Sequence, residues 1–435
     1  MIFRQLLDDD LGCASYLVGD ETEGVAVVVD PPYAIDPLLV EAERNGLRIV
    51  RTLETHTHAD HVSGHGRLAL EHGVPVSIHA AAEAEYEHDA LADGDEVEVG
   101  AVRLRVVYTP GHRPEHCAFA VVDTARGPEP WLVLTGDSLF VGDAARPDLA
   151  VAADEGAEGL FRSLHRLAEL GDGVEVFPGH VAGSLCGAAM SSKPSTTIGF
   201  ERRFNHAMLV PEAAQFVAEL TASLPPRPPN MERIVDLNRG PFLGSPPPLQ
   251  RLTEVPAGSV VLDVRPVDAF AAGHVAGALN VPVGGGSFAT RAGFVLPLDR
   301  QLVLHGDADE VERAARGLRS VGFLELAGFV VDPPAAERLE PLTVAEAQRL
   351  FAAGELELVD VREEHERERS TIPGSRHVPF SAVREAATNG LAQLDKPAAV
   401  ICESGARAAV AASVLAAAGV DARPVLRGGV GTWPR

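Results

Sequence analysis

Short runs rich in Val, Ile and Leu recur along the first part of the chain, at 25–29, 49–53, 76–78, 102–107, 118–122, 131–134 and 174–177. Runs of that length and composition, separated by helix-like segments, predict buried strands in a layered fold that mixes strands and helices. Four of them lead directly into polar motifs: THTHADH (55–61), TPGH (109–112), TGD (135–137) and PGH (178–180). Polar residues at the ends of buried strands are where such folds place their sites.

The pattern then changes. LPPRPPN (224–230) and GPFLGSPPP (240–248) are too proline-dense to continue a helix or a central strand. A linker is therefore expected over 236–250, after a first domain at 1–235. Beyond it the sequence repeats at an offset of 97 positions. Asp263-Val-Arg265 returns as Asp360-Val-Arg362, and Gly277–Pro282 returns as Gly374–Pro379. The same offset carries His305 onto Cys402. An ungapped match of about 40 residues implies two copies of one domain, expected at 251–338 and 339–435. Each copy mixes strand-like runs (260–263, 358–360) with helix-like ones (311–321, 406–418), so each reads as α/β.

Length and composition fit this organisation. A chain of 435 residues exceeds one comfortable core, and 46% hydrophobic with 23% charged residues is ordinary globular sequence. The net charge of −25 excludes nucleic acid and anionic membrane as expected partners. No leader pattern opens MIFRQLLDDDLGC, and no stretch of about 18 apolar residues occurs, so a cytoplasmic protein is expected. Cys13, Cys117, Cys186 and Cys402 are too scattered for a disulfide framework and are read as free thiols.

The first four motifs carry a metal constellation. His56, His58, Asp60 and His61 put four good ligands within six residues, and His112, Asp137 and His180 follow at later strand ends. One such histidine would ordinarily be structural; seven ligand-type residues in this order point to a metal. Imidazole and carboxylate suit zinc and iron equally well.

These motifs, in this order, resemble the metallo-β-lactamase superfamily, and within it the persulfide dioxygenases, also called sulfur dioxygenases. The likeness continues through Asp143-Ala-Ala-Arg146-Pro-Asp148, Gly183-Ser-Leu-Cys-Gly187 and the stretch 194–205. The resemblance implies an αββα sandwich with its metal at one edge. It implies one Fe(II) per chain, held by His56, His112 and Asp137, with His58, Asp60, His61 and His180 orienting those ligands. It also implies oxidation of a low-molecular-weight thiol persulfide by O2 to sulfite and thiol. Arg146 matches an arginine that contacts the thiol in related enzymes, with an ion pair to Asp148 or Asp143 as the equal alternative. Cys186 corresponds to a position near the metal pocket, or to a buried structural thiol. All seven ligands of a dinuclear zinc thioester hydrolase of the glyoxalase II type are present too, and spacing leaves that reading open.

Near the C-terminus, Cys402-Glu403-Ser404-Gly405-Ala406-Arg407 lies between an apolar run and an Ala-rich helix. A six-residue loop at a helix start aims backbone N–H groups at the sulfur and stabilises negative charge there, and Arg407 adds positive charge. The loop resembles the C-x-x-G-x-R loop of rhodaneses, whose cysteine carries sulfane sulfur. Glu403 departs from it, standing where an arginine is frequent. The earlier copy has His305 and no thiol, so it is expected to be a degenerate rhodanese-like module serving as a spacer or oligomerisation surface. The whole order resembles bacterial persulfide dioxygenase–rhodanese fusions. Sulfite from the iron site and a sulfane sulfur on Cys402 would combine to thiosulfate, so sulfide detoxification is expected from the co-occurrence of the two sites, and the degenerate module makes a homo-oligomer the expectation. The carrier thiol is left open, with glutathione and coenzyme A among the candidates.

Overall fold

Alternation in two neighbouring strands sets the layering of the first unit. Ala14–Asp20 and Val25–Val29 pair antiparallel. Tyr16, Val18, Val27 and Val29 pack with Leu104, Phe119 and Val121 of a second sheet, while Leu17, Ala26 and Val28 pack under Ile35, Leu38 and Leu68. Successive side chains of a strand point to opposite faces, so each strand serves two layers. On the far side, Leu160, Leu164 and Leu167 of the helix Ala153–Ala168 cover Ala118, Ala120 and Val133. The result is the expected αββα sandwich.

The computed structural model describes residues 1–181, 190–390 and 394–434. Contacts divide the chain into two units, one of 1–225 with 231–245 and one of 226–230 with 246–435. The first unit has two six-stranded sheets. One runs Ile2–Leu7, Ala14–Asp20, Val25–Val29, Arg48–Leu53, Val76–His79, Asp89–Leu91, and the other Thr196–Thr197, Glu175–Pro178, Leu132–Gly136, Cys117–Asp123, Val102–Tyr108, Glu96–Val99. The seven runs expected as strands all fall on strands here. The first two strands were not foreseen: Arg4 and Gln5 interrupt the apolar run of the half-exposed edge strand, and Ser15, Gly19 and Asp20 dilute that of the buried second one.

In the second unit, two four-stranded parallel sheets share one order. The first runs Leu279–Asn280, Val260–Asp263, Leu302–His305, Leu326–Val330; the second runs Arg376–His377, Glu357–Asp360, Ala398–Ile401, Ala422–Pro424. One detail of the repeat is corrected. Val264 N–H donates to His305 O, and Val361 N–H donates to Ile401 O. His305 is therefore the counterpart of Ile401, and Gly306 stands where Cys402 stands. The ungapped offset of 97 slips by one between the second and third sequential strands, where a residue count cannot detect it. The loop is shorter as well. The first copy's helix starts at Ala308, capped by Asp307, whereas the second starts at Ala406 after four loop residues. The first sheet thus leads into a shorter loop with no thiol in it.

The paired Asp-x-Arg motifs pin the end of an inner strand in each sheet. Arg362 is almost wholly buried, with Nε and Nη2 on Asp360 at 3.0 and 2.8 Å and Nη2 on Ser370 O at 2.7 Å. Arg265 makes the same fork to Asp263 but is about one-quarter exposed. Breaking a buried pair strands a charge, so Arg362→Met is expected to lower the unfolding free energy by about 3–5 kcal/mol. Arg265→Met is expected to cost clearly less, and urea denaturation of both variants checks the ranking.

Candidate metal centre and cysteine loop

The metal motifs meet because the strands Arg48–Leu53, Val102–Tyr108, Leu132–Gly136 and Glu175–Pro178 all end at one edge of the sandwich. His56, His112 and Asp137 are buried there with ligand atoms within 4.8 Å of one another. His112 Nε2 lies 3.6 Å from Asp137 Oδ2. Donors that share an ion at about 2.1 Å are separated by roughly 3–4 Å. His56 Nε2 and Asp137 Oδ2 are buried and make no hydrogen bond among the described residues. Buried polar atoms without partners are costly, so two of them converging with His112 fit a bound cation.

Neighbours fix which atoms face the centre. His112 Nδ1–H donates to Arg146 O at 2.9 Å, which leaves Nε2 as the lone-pair atom. Thr55 Oγ1 donates to Asp30 Oδ2 at 2.9 Å and so accepts from His56 Nδ1–H, also at 2.9 Å. Burial and surrounding positive groups, His58 first among them, hold His56 well below the ordinary histidine value, and burial lowers His112 too. Burial alone would raise Asp137, but the charge and hydrogen bond of His180 outweigh it and hold the carboxyl well below its usual range. Neutral imidazoles beside a carboxylate are the protonation states a divalent ion requires.

The other four ligand-type residues are engaged elsewhere. His180 bridges Asp137 Oδ1 at 2.7 Å and Asp60 Oδ2 at 2.6 Å. His61 Nδ1 lies 3.3 Å from Asp60 Oδ1. His58 Nε2 stands 3.3 Å from both Asp30 Oδ1 and Glu54 Oε2 in a second buried acid–histidine group. Burial would raise Glu54, but the adjacent His58 and the hydrogen bond from His65 hold it at about 2.

Three participants escaped the sequence reading. Cys13 Sγ sits 3.2 Å from His180 Nε2 and 3.3 Å from Asp60 Oδ2, carried there by a bridge between Cys13 and His180. His116 Nε2 accepts the Asp137 N–H at 2.9 Å, and burial together with the nearby His112 holds its ring down to about 3. Asn238 donates to His58 O and His61 O at 3.0 and 2.8 Å and accepts from Ser63 N–H, clamping the whole THTHADH loop. It belongs to the helix Met231–Arg239, so residues 236–245 of the expected linker pack with the first unit.

Arg146 is buried and forks onto Asp148 at 2.7 and 2.9 Å, the ion-pair alternative weighed for it. Its Nη1 is buried without a hydrogen bond among the described residues. Cys186 lies outside the described residues. Gly179 closes the site from behind, since a Cβ there would fall 2.5 Å from Asp137 Oδ1. Gly179→Ala is therefore expected to weaken metal affinity by about 10-fold or more, as losses around a ligand typically do. Titration of metal-free protein with a competing chelator measures it.

In the second unit, Cys402 is buried and comes directly after the strand Ala398–Ile401. Gly405 has φ +96, a conformation suited to glycine, and its N–H donates to Cys402 Sγ at 3.1 Å. The Arg407 charge does not stand free beside the sulfur. Both of its terminal nitrogens fork onto Glu366 at 2.6 Å. Burial would raise Glu366, and the Arg407 hydrogen bond and charge outweigh it. Glu403, half exposed, lies 3.7 Å from Arg362 Nη1.

The metallo-β-lactamase superfamily profile matches residues 8–180, and the rhodanese-like domain profile matches 343–435. A solved metallo-β-lactamase structure from Staphylococcus aureus is 30% identical with a TM-score of 0.70, covering 76% of this chain and 98% of that one. The chain belongs to the metallo-β-lactamase superfamily. The match to the S. aureus protein spans more residues than the first unit contains, so the likeness continues into the second. Two other relatives divide over chemistry. The mitochondrial persulfide dioxygenase of Bos taurus is 27% identical over 57% of this chain and 91% of its own. A hydroxyacylglutathione hydrolase of Cereibacter sphaeroides is 36% identical over 38% of this chain and 61% of its own. This superfamily member thus combines a metal-binding fold with a C-terminal rhodanese-like domain. No described helix is long and apolar enough to cross a membrane.

Proposed function

We propose that this protein is a persulfide dioxygenase with an attached sulfurtransferase. One Fe(II) is held by His56, His112 and Asp137, and Cys402 carries sulfane sulfur. The observation that carries this reading is the unequal use of the seven ligand-type residues. His56, His112 and Asp137 converge through buried atoms, two of which have no hydrogen bond among the described residues, whereas Asp60 and His61, which also converge with Cys13, are bonded to one another, to Cys13 or to His180, and His180 is bonded to Asp137. A two-histidine, one-carboxylate set leaves coordination positions open and suits non-haem iron. Iron so held supplies the redox chemistry for adding oxygen to a sulfur atom. The protein's part is to fix both imidazole tautomers through Arg146 O and Thr55, and to keep the Asp137 carboxylate charged. The rhodanese-like domain supports sulfur chemistry, because sulfite and a sulfane sulfur on Cys402 combine to give thiosulfate. On this reading residues 251–338 form a second, degenerate rhodanese-like module.

A dinuclear zinc thioester hydrolase is the competing reading. It draws on the Cereibacter relative and on His58 Nδ1, which is buried and makes no hydrogen bond among the described residues. Oxygen consumption by iron-loaded protein, with glutathione persulfide or coenzyme A persulfide as substrate and metal content measured on the same sample, separates the two. Rapid uptake with one iron per chain and sulfite or thiosulfate as product is expected. Two zinc ions per chain with no uptake would establish the hydrolase. His58→Asn sharpens the distinction: it is expected to keep its iron, while His56→Asn loses it.

A further inference from the structure

Between the two halves of the second unit lies a cavity of about 530 Å³. One wall is built from Ser404 and Gly405 of the cysteine loop with Leu426 and Arg427 of the C-terminal segment; the other is the first half, at Val283, Arg291 and Arg313. Gly405 touches both the cavity and the reactive sulfur, since it lines the first and donates its N–H to Cys402 Sγ. Neither the iron reading nor the cysteine loop accounts for this space.

Its lining has two characters. Val283, Leu426, Ala409 and prolines make much of the wall apolar. Three arginines add positive charge, in a chain whose overall balance is −25. Asp268 and Glu310 also line it, so the balance within the cavity is three positive groups against two negative. The carboxylates neutralise little of the charge of Arg427 and Arg313. Arg427 approaches Asp268 only to 3.9 Å, with both side chains largely exposed, and such pairs contribute little. Arg313 makes no ion pair among the described residues, and its one hydrogen bond is a long 3.4 Å contact to Asp309 O. A guanidinium recognises carboxylate and phosphate through paired N–H donors.

We infer that this cavity is the docking site for the carrier thiol of the sulfur-transfer step. Its ligand is a low-molecular-weight persulfide with an apolar arm and a carboxylate or phosphate end. The first half of the second unit is then not a spacer. It supplies Arg313, the anion recognition that Glu403 works against at the loop itself. The inference rests on the reading that Cys402 accepts sulfane sulfur. In that step the Cys402 thiolate attacks the outer sulfur of R–S–SH. A Cys402–sulfur bond forms, the bond from that sulfur to R–S breaks, and R–S⁻ departs while the proton stays on the transferred sulfur. No oxidant or reductant is consumed.

The test monitors Cys402 persulfidation in the full-length protein by mass spectrometry, across a range of glutathione persulfide and of coenzyme A persulfide concentrations. Arg313→Glu is expected to raise the half-saturating concentration of the preferred donor at least about 10-fold and to leave the maximal rate within about 3-fold. Arg313→Lys is expected to restore most of that loss, which a merely structural effect of the Glu substitution would not predict. If coenzyme A persulfide alone responds to the substitution, the anionic end is a phosphate; if glutathione persulfide alone responds, it is a carboxylate. Unchanged half-saturation for both donors, with Cys402 still persulfidated, overturns the docking site and leaves sulfur transfer standing. Absence of persulfidation in the unsubstituted protein by either donor defeats the sulfur-transfer reading itself, and the docking site with it.

Discussion

Asp137→Asn should leave the protein folded yet unable to retain its metal. The amide is nearly isosteric with the carboxyl, and its oxygen can still accept from His180 Nδ1, which lies 2.7 Å from Asp137 Oδ1 in the native site. The Asp137 N–H bond to His116 belongs to the backbone and is unaffected. The negative charge is what disappears. In the native protein that charge persists despite complete burial, because His180 outweighs the desolvation cost. Loss of an outer hydrogen-bonding partner of a metal ligand typically costs about 10–100-fold in affinity, so removing the only anionic member of the triad is expected to cost more than about 100-fold. Metal analysis after dialysis should find well under one ion per ten chains, and oxygen uptake with persulfide should vanish. Near-native circular dichroism would show that the fold survived. A variant that kept its full metal complement would remove Asp137 from the ligand set and turn attention to the Asp60 and His61 group.

Cys402→Ser should separate the two chemistries. The expected result is oxygen uptake close to that of the native protein, with sulfite accumulating where thiosulfate was formed. Serine preserves the strand, the loop and the helix start, and it can still accept from Gly405 N–H, which now lies 3.1 Å from the sulfur. It cannot hold a sulfane sulfur. Thiosulfate formation is expected to fall more than about 100-fold, to the background of direct reaction between sulfite and free persulfide. Continued thiosulfate production at the native rate would show that the rhodanese-like domain is a passenger, and ion chromatography of the products decides it. Because Arg407 is forked onto Glu366, Arg407→Ala should damage the same step while also leaving Glu366 unpaired. The serine variant is therefore the cleaner probe.

What could be read from the sequence was what is local. Strand ends followed by His and Asp announced a cluster, and the sandwich brings His56, His112 and Asp137 together. The Cys402 loop declared itself by its neighbours, an apolar strand before and a small-residue helix after. What escaped depends on contacts between distant segments. Cys13 lies in an unremarkable N-terminal stretch and reaches the site only because its backbone pairs with His180. His116 acts by accepting a backbone N–H, and Arg146 holds His112 through its carbonyl oxygen, roles with no residue-type signature. The one-residue slip that puts Gly306 opposite Cys402 is a matter of strand register, which only the hydrogen-bond ladder reveals.

Asn238 has a consequence for anyone who would take the protein apart. The clamp on the THTHADH loop comes from a helix that begins at Met231, after the chain has already given residues 226–230 to the other unit. Asn230 is anchored there by its bond to Val321 O. The chain therefore enters the second unit at 226, returns to the first at 231 and leaves it again after 245. A cut after Pro225 would yield a sandwich with its metal loop unfastened, and a cut after Ser245 would carry along a short piece that belongs to the neighbour.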